Sequence, residues 1–249
     1  MRDIRLYVDL PLAVGTLLEL PPQTARHAVT VLRLKRGDSL TLFNGQGGEY
    51  RGRIETLQRR QVQLSVDDFT PVNRESPLHI RLVQALGKGD RTEWAIRKAV
   101  ELGVSEIVPL VTERTQVKTS PDKNDQREIR WQSLIIAACE QSGRTRLPLL
   151  RPVAGFAEWV AGQRGGERLI LDPRAGDGLR IETRVDEVEL LIGPEGGFSA
   201  DEYELAESNG YQPVALGPRI LRTETAPLAA IALLQAQAGD WIGQTKRPG

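Results

Sequence analysis

The sequence predicts an α/β protein in which a small β-rich N-terminal domain precedes a mostly parallel sheet covered by helices on both faces. Three observations predict it. Up to about residue 72, short alternating runs are separated by glycine-bearing turns. From residue 78 onward, apolar runs alternate with amphipathic stretches. Between the two, PVNRESP (Pro71 to Pro77) brackets polar residues with prolines, as a linker does. The expected domains are residues 1–72 and 73–244.

In the first domain, the strands are expected at Arg5 to Val8, Ser39 to Phe43, Tyr50 to Ile54 and Gln61 to Val66. Their shortness and turns suit a small barrel. One helix interrupts them, Gln23 to Leu34, with Ala28, Val31 and Leu32 at helical spacing. In the second domain, strand Ile80 to Leu86 leads to helix Thr92 to Leu102, then strand Glu106 to Val111 and helix Glu128 to Gln141. Leu169 to Leu171 and Val188 to Ile192 read as further buried strands. Ser199 with Glu202 forms a capping box, and Gly210 stands where a helix C-terminus favours glycine. A last strand, Val214 to Leu216, precedes a strongly apolar helix, Ala226 to Ala238. Gln244 to Gly249 reads as a tail.

Of the 249 residues, 40% are hydrophobic and 27% charged, enough apolar content for a sizeable core. No run approaches the roughly eighteen apolar residues of a membrane span, and MRDIRLYVDL has no signal-peptide apolar stretch. A soluble, cytoplasmic protein is expected. Cys139 is the single cysteine, which excludes an intrachain disulfide, and with only His27 and His79 it makes no zinc site. No metal is expected. The zero net charge conceals an asymmetry. Gln23 to Arg36 holds four basic residues, a histidine and no acid, whereas Gly155 to Gly210 holds thirteen acids against five Lys and Arg. A polyanion favours the first surface, although both also read as ordinary solvated faces.

Two segments carry chemistry. Leu191 to Ser199 runs a strand into a glycine-rich turn and a capped helix, letting backbone approach a ligand and exposing amides at a helix start. Taken alone it is also a plain βα turn. Leu216 to Ala226 packs two arginines, a glutamate and two threonines into one strand-to-helix connection, more donors and acceptors than a structural loop needs. No G-x-G-x-x-G follows a strand, and there is neither a P-loop nor a G-x-S-x-G elbow. Nucleotide-dependent and Ser–His hydrolase readings therefore lack support.

IGPEGG (Ile192 to Gly197) followed by LGPRILRTETA (Leu216 to Ala226) resembles the RsmE family, SPOUT-class enzymes that methylate N3 of a uridine (position 1498) in 16S ribosomal RNA of the small subunit. RHAVTVLRLKRGD (Arg26 to Asp38), ESPLHI (Glu75 to Ile80), IRKAVELGVSEIVPLVTER (Ile96 to Arg114) and AACEQSGR (Ala137 to Arg144) extend the resemblance over nearly the whole chain. It implies a PUA-like N-terminal β-barrel that binds RNA and a SPOUT-type α/β domain tied in a deep trefoil knot. Pattern-reading alone does not propose a knot. It further implies a homodimer and an S-adenosyl-L-methionine pocket lined by Leu171, Pro173, Ile192, Gly193, Pro194, Glu195, Gly196, Leu216, Gly217, Ile220, Leu221, Arg222 and Thr223. The apolar last helix (Leu228, Ala229, Ile231, Leu233, Leu234) suits a dimer interface and equally a core.

Uridine N3 carries a proton and is a poor nucleophile until that proton leaves. Arg222 is the expected stabiliser of charge developing on the uracil oxygens, and Glu195 or Glu224 the proton acceptor. The competing reading is that Arg222 and Glu224 pair and brace the loop. RNA contacts are expected from Arg26, His27 and Arg33, with Arg5, Lys88, Arg91 and Arg114. His27 also reads as a packed helix residue. Trp94, Trp131, Trp159 and Trp241 are read as core or interface rather than base-stacking platforms. Two rivals remain: a knotted methyltransferase with a ribose or transfer-RNA target, and a non-catalytic RNA-binding module.

Overall fold

The structure, a computed structural model, describes residues 4–58, 61–162, 165–181 and 184–241. The expected tail Gln244 to Gly249 and the expected domain end at residue 244 lie outside them. The chain divides into two compact units, residues 1–75 with 139–147 and residues 76–138 with 148–249.

The first unit contains β1 (Arg5–Tyr7), β2 (Leu17–Glu19), α1 (Pro22–Thr30), β3 (Ser39–Phe43), β4 (Glu49–Leu57) and β5 (Val62–Thr70). Its five strands follow the order β1-β3-β4-β5-β2, antiparallel except where β1 runs parallel to β3. Alternate residues of these strands (Leu6, Leu40, Leu42, Ile54, Val62, Leu64, Val66) join Ala25 and Ala28 of α1 in one core. Helix α1 ends at Thr30, earlier than its apolar pattern suggests. Val31 is exposed, and Arg33 adopts φ 57°, a left-handed conformation that ends the helix. The segment read as a linker carries ion pairs within this unit. Arg74 reaches Glu49 at 3.1 Å, and Glu75 pairs with Arg144.

The second unit contains β6 (His79–Ala85), α2 (Arg91–Glu101), β7 (Glu106–Val111), α3 (Pro121–Ser142, its last residues grouped with the first unit), β8 (Leu149–Leu150), β9 (Ala154–Gly155), α4 (Phe156–Ala161), β10 (Glu167–Leu171), β11 (Glu187–Ile192), α5 (Ala200–Ser208), β12 (Gln212–Val214) and α6 (Ala226–Ala238). Every pairing in its sheet is parallel, in the order β12-β10-β11-β6-β7-β8, with β9 also on β7. One face, through Val83, Val108, Leu110, Ile170 and Leu191, packs on α4 and α5. The intervening residues Leu82, Ile107 and Leu190 are equally buried, as a sheet covered on both faces requires. Helices α2 and α6 pack on each other and on β6.

At the amino-terminal ends of the strands the α4/α5 side holds an ion network. The Arg81 guanidinium reaches Glu106 at 2.8 Å, Glu187 at 2.9 Å and Glu189 at 3.0 Å. Glu189, fully buried, also accepts hydrogen bonds from Trp159 Nε1 at 3.0 Å and from the Tyr211 hydroxyl.

Trp131 and Trp159 are buried as expected, but Trp94 and Trp241 stand 42% and 52% exposed, outside the core. The α6 stripe divides. Ile231 and Leu234 are core, whereas Leu233 is 44% exposed. Among the described residues no helix is long and apolar enough to cross a membrane, and no group of His, Cys, Asp or Glu is placed to hold a metal ion.

Candidate active site

Because the strands are parallel, the carboxyl ends of β10, β11 and β12 lie together, where open α/β sheets gather their ligands. Three connections leave these ends and enclose a cleft of about 410 Å³. The structure brings all the residues expected at the cofactor to this one place: Leu171 and Pro173, Ile192 to Gly196, Leu216, Gly217, and Ile220 to Thr223. Glu224 and Arg91 line it too. Gly197 at φ +68° and Gly217 at φ +80° make the turns that a β-carbon would strain.

The cleft is apolar along Leu171, Pro173, Ile192, Leu216 and Leu221, and polar at one end. There Glu195 Oε1 accepts the Lys88 amide at 2.9 Å and the Arg91 guanidinium. Burial alone raises the Glu195 carboxyl, but the bonds from the Lys88 amide, its own amide and Arg91 outweigh this and hold it below its ordinary value. Arg91 Nε also stands 3.6 Å from Glu224 Oε2, a buried oxygen that accepts no hydrogen bond. Glu224 therefore pairs with Arg91, not with Arg222 as the bracing alternative requires. The Arg222 guanidinium has no hydrogen bond or ion pair among the described residues, and the residue is exposed. Its carbonyl accepts the amides of Thr225 and Ala226, which fixes the turn into α6.

The two glycine-rich connections are tied from below. Thr223 Oγ1 donates to the Gly193 carbonyl at 2.8 Å and accepts from Gln84 Nε2 at 3.2 Å. Gln84 is fully buried near the end of β6, and its own Oε1 has no partner. On the far wall Arg174 bonds Asp172 at 2.9 Å and lies 4.8 Å from the Tyr203 ring, whose hydroxyl donates to the Leu171 carbonyl at 3.3 Å. The capping box of α5 takes two of the amides at this helix start: Ser199 Oγ accepts the Glu202 amide, and Glu202 Oε2 accepts the Ser199 amide at 2.9 Å.

Of the expected RNA-contacting residues, Arg26 and Arg33 are exposed and His27 half-buried in the first unit. Lys88 and Arg114 are exposed in the second, with Arg114 donating to the Gly196 carbonyl at 2.9 Å. Arg91 borders the cleft. Arg5 differs. Its guanidinium is spent on Glu49 and the Arg144 carbonyl and lies over the Phe43 ring, so its place is within the first unit's own packing. Sequence reasoning gives no role to Gln84, Asp172 or Tyr203, and counts Arg219 only as one of the two arginines of its loop. A glutamine inside an apolar strand (Ile80 to Leu86) was the one legible signal among them.

Residues 74–235 match the RNA methyltransferase domain family, and residues 20–67 match the RNA methyltransferase PUA domain family. The ribosomal RNA small subunit methyltransferase E of Buchnera aphidicola from Schizaphis graminum is 32% identical, over 95% of this chain and 97% of its own. That of Synechocystis is 38% identical over 83% of this chain and 68% of its own. The chain belongs to the ribosomal RNA small subunit methyltransferase E family. Solved structures agree. A Legionella pneumophila methyltransferase, in complex with bound cofactor SAM, is similar at TM-score 0.94 and 43% identity, covering 96% of this chain and all of that one. The Neisseria gonorrhoeae ribosomal RNA small subunit methyltransferase E, bound to S-adenosyl methionine, is similar at TM-score 0.90 and 37% identity over the same shares. Within this family the cleft between the β10, β11 and β12 connections is the candidate place for the methyl donor, and the polar end around Glu195, Arg91, Glu224 and Arg222 the candidate place for chemistry.

Proposed function

We propose that this chain is an S-adenosyl-L-methionine-dependent methyltransferase that methylates N3 of one uridine in 16S ribosomal RNA of the small subunit. The observation that carries the reading is the cleft itself. An apolar trough and two glycine-rich connections lie beside a guanidinium and a buried carboxylate oxygen with no hydrogen bond, in a chain 37% to 43% identical to cofactor-bound relatives.

The trough fits the donor. Leu171, Pro173, Ile192, Leu216 and Leu221 would hold its apolar parts, and the backbone of Gly193 to Gly196 and of Gly217 its polar ones. When bound, the donor supplies an electrophilic methyl group on a sulfonium. The chain's own residues deal with the uridine. Glu224 is the better proton acceptor of the two candidates, because its Oε2 has no hydrogen bond on it while Glu195 Oε1 already accepts the Lys88 amide and Arg91, which hold that carboxyl below its ordinary value. The Arg222 guanidinium, without a partner among the described residues, can turn two donors toward charge developing on a uracil oxygen. The exposed cations Arg26, Arg33, Lys88 and Arg114 would meet phosphates.

The finer architecture belongs to the same reading. The first unit is a PUA-like barrel and the second a knotted SPOUT domain, with the boundary near residues 72 to 76. Two chains pair as a homodimer, for which the exposed Ile220 and Leu233 offer apolar contacts. The enzyme works in the cytoplasm. The test is labelled donor with small subunits from cells lacking this protein, followed by mass analysis of the nucleosides. N3-methyluridine is the expected product. A methylated ribose, or label only in transfer RNA, would refute the target. Glu224→Gln should lower turnover by about a hundredfold or more, the usual range for losing a general base. Glu195→Gln should cost less than tenfold; the reverse order would reassign the proton acceptor.

A further inference from the structure

A second hollow of about 710 Å³ adjoins the cofactor cleft and shares Arg91 and Glu224 with it. Its other walls are Lys88, Gly89, Asp90, Trp94 and Thr225. Helix α2 buries Thr92, Ala95, Ile96, Ala99 and Val100, which leaves Trp94 on its outer side, 42% exposed. A large indole kept out of the core, on a wall with Lys88, Asp90 and Arg91, is the informative kind of exposed residue. Lys88 is exposed, and its ammonium has no partner among the described residues. The Glu224 carboxylate lines the same hollow, and its Oε2, 3.6 Å from Arg91 Nε, carries no hydrogen bond. A π-face, a free cation and an unsatisfied acceptor together match one nucleotide, with ring, phosphate and N–H edge respectively.

We propose that this hollow seats the target uracil: Trp94 stacks on the ring, the Glu224 carboxylate accepts N3–H, and Lys88 meets the flanking phosphate. The inference rests on the reading of the chain as a uridine-N3 methyltransferase and deepens it. It also supplies specificity. Uracil offers a hydrogen on N3, whereas cytosine presents a lone pair there, which a carboxylate repels. The target atom is thereby brought to the rim shared with the donor cleft.

The test compares the full-length parent with Trp94→Ala and Trp94→Phe on unmethylated small subunits, with donor affinity and oligomeric state measured alongside. Stacking on an aromatic face predicts that Trp94→Ala lowers kcat/KM for subunits by about tenfold or more. Trp94→Phe should stay within about threefold, with donor affinity and oligomeric state unchanged for both. Equal kcat/KM for Trp94→Ala and the parent would overturn the seat. So would equal losses in both variants, or a Trp94→Ala protein that changes oligomeric state or loses donor affinity, since the indole then serves packing or subunit contact. A parent that places no methyl on uridine N3 overturns the functional reading itself. That outcome is visible before any variant is compared.

Discussion

Replacing Arg81 by methionine tests whether the ion network at the amino-terminal ends of the strands is a stability device separate from catalysis. Arg81 is 8% exposed and, among the described residues, is the cation shared by Glu106, Glu187 and Glu189. Removing one partner of a buried pair costs about 3–5 kcal/mol, because the charges left behind remain desolvated. Here Glu106 keeps Arg151, and Glu189 keeps Trp159 and Tyr211, so the lower end of that range, about 3 kcal/mol, applies. For a unit of this size each kcal/mol moves Tm by about 2–4 °C, so the expected drop is about 6–12 °C. All four tryptophans (Trp94, Trp131, Trp159, Trp241) belong to the second unit, so a fluorescence melt reads that unit alone. The deficit should depend on pH. Burial raises the Glu106 carboxyl, but Arg151 and Arg81 together hold it below its ordinary 4.5. Its contribution is therefore present above pH 4.5 and lost as pH falls through the depressed folded value. Without Arg81 that depression is smaller, so parent and variant should converge on acidification below about pH 4.5. A loss under about 2 °C at neutral pH, or a deficit unchanged in acid, would refute the reasoning. Methyl transfer at 25 °C should be unaffected, since the cleft lies at the opposite ends of the strands.

Gln84→Leu removes the donor to Thr223 but also deletes an orphaned carbonyl, so the stability terms nearly cancel. Its expected signature is donor affinity weaker by about fivefold in calorimetry with Tm within about 3 °C of the parent; unchanged affinity would show that Thr223 holds the loops without it. Cys139 is buried, and burial first of all pushes its thiol up to about 12, against 9.0 unperturbed. In the native protein at pH 8 it should react with a disulfide reagent at least about a hundredfold more slowly than in denaturant, and comparable rates would contradict the burial. Arg222→Ala should lower turnover of bound substrate by about a hundredfold, as loss of one charge-stabilising donor does elsewhere. Intact single-turnover rates would return Arg222 to a purely structural place in the loop.

The elements most legible in the sequence are those whose boundaries coincide with a change of pattern. The ends of β3, β7 and α6 agree with the expected ones, because glycine or a charged residue stands within three residues of each end. Helix α3 begins at Pro121 rather than Glu128, its first two turns (PDKNDQR) being too polar to show a periodic face although Pro121 is a helix-start signal. The two-residue strands β8 and β9 and the single-turn-and-a-half α4 are too short to have a period at all. Helix α1 is shorter than its apolar spacing, which Val31 and Leu32 continue, because the backbone turns left-handed at Arg33. At the site, the cleft-lining residues are legible because they sit in two contiguous motifs. Its residues Glu195, Arg222 and Glu224 are named by the sequence as well, but the bonds that hold the polar end together are not legible. Lys88 meets Glu195 across 107 residues and Gln84 meets Thr223 across 139, and nothing in a local window links them.

The second unit treats its two ends by opposite rules. At the amino-terminal ends of the strands Arg81 answers its neighbouring carboxylates, and Glu189, though fully buried, has three donors on it. At the carboxyl ends the accounting is left open. Among the described residues of this unit, the buried side-chain polar atoms without a hydrogen bond are Gln84 Oε1 and Glu224 Oε2, and both belong to the cleft or to the tie beneath it. Each such atom costs about 1–3 kcal/mol if nothing ever meets it. A fold that satisfies a three-carboxylate cluster at one end has the means to satisfy two oxygens at the other. Their concentration where the glycine-rich connections meet is what a ligand-completed site looks like before its ligands arrive. On this argument donor and RNA should each raise the Tm of the second unit by more than their contact with exposed surface explains, and Glu224→Gln should abolish that surplus for RNA while leaving it for the donor.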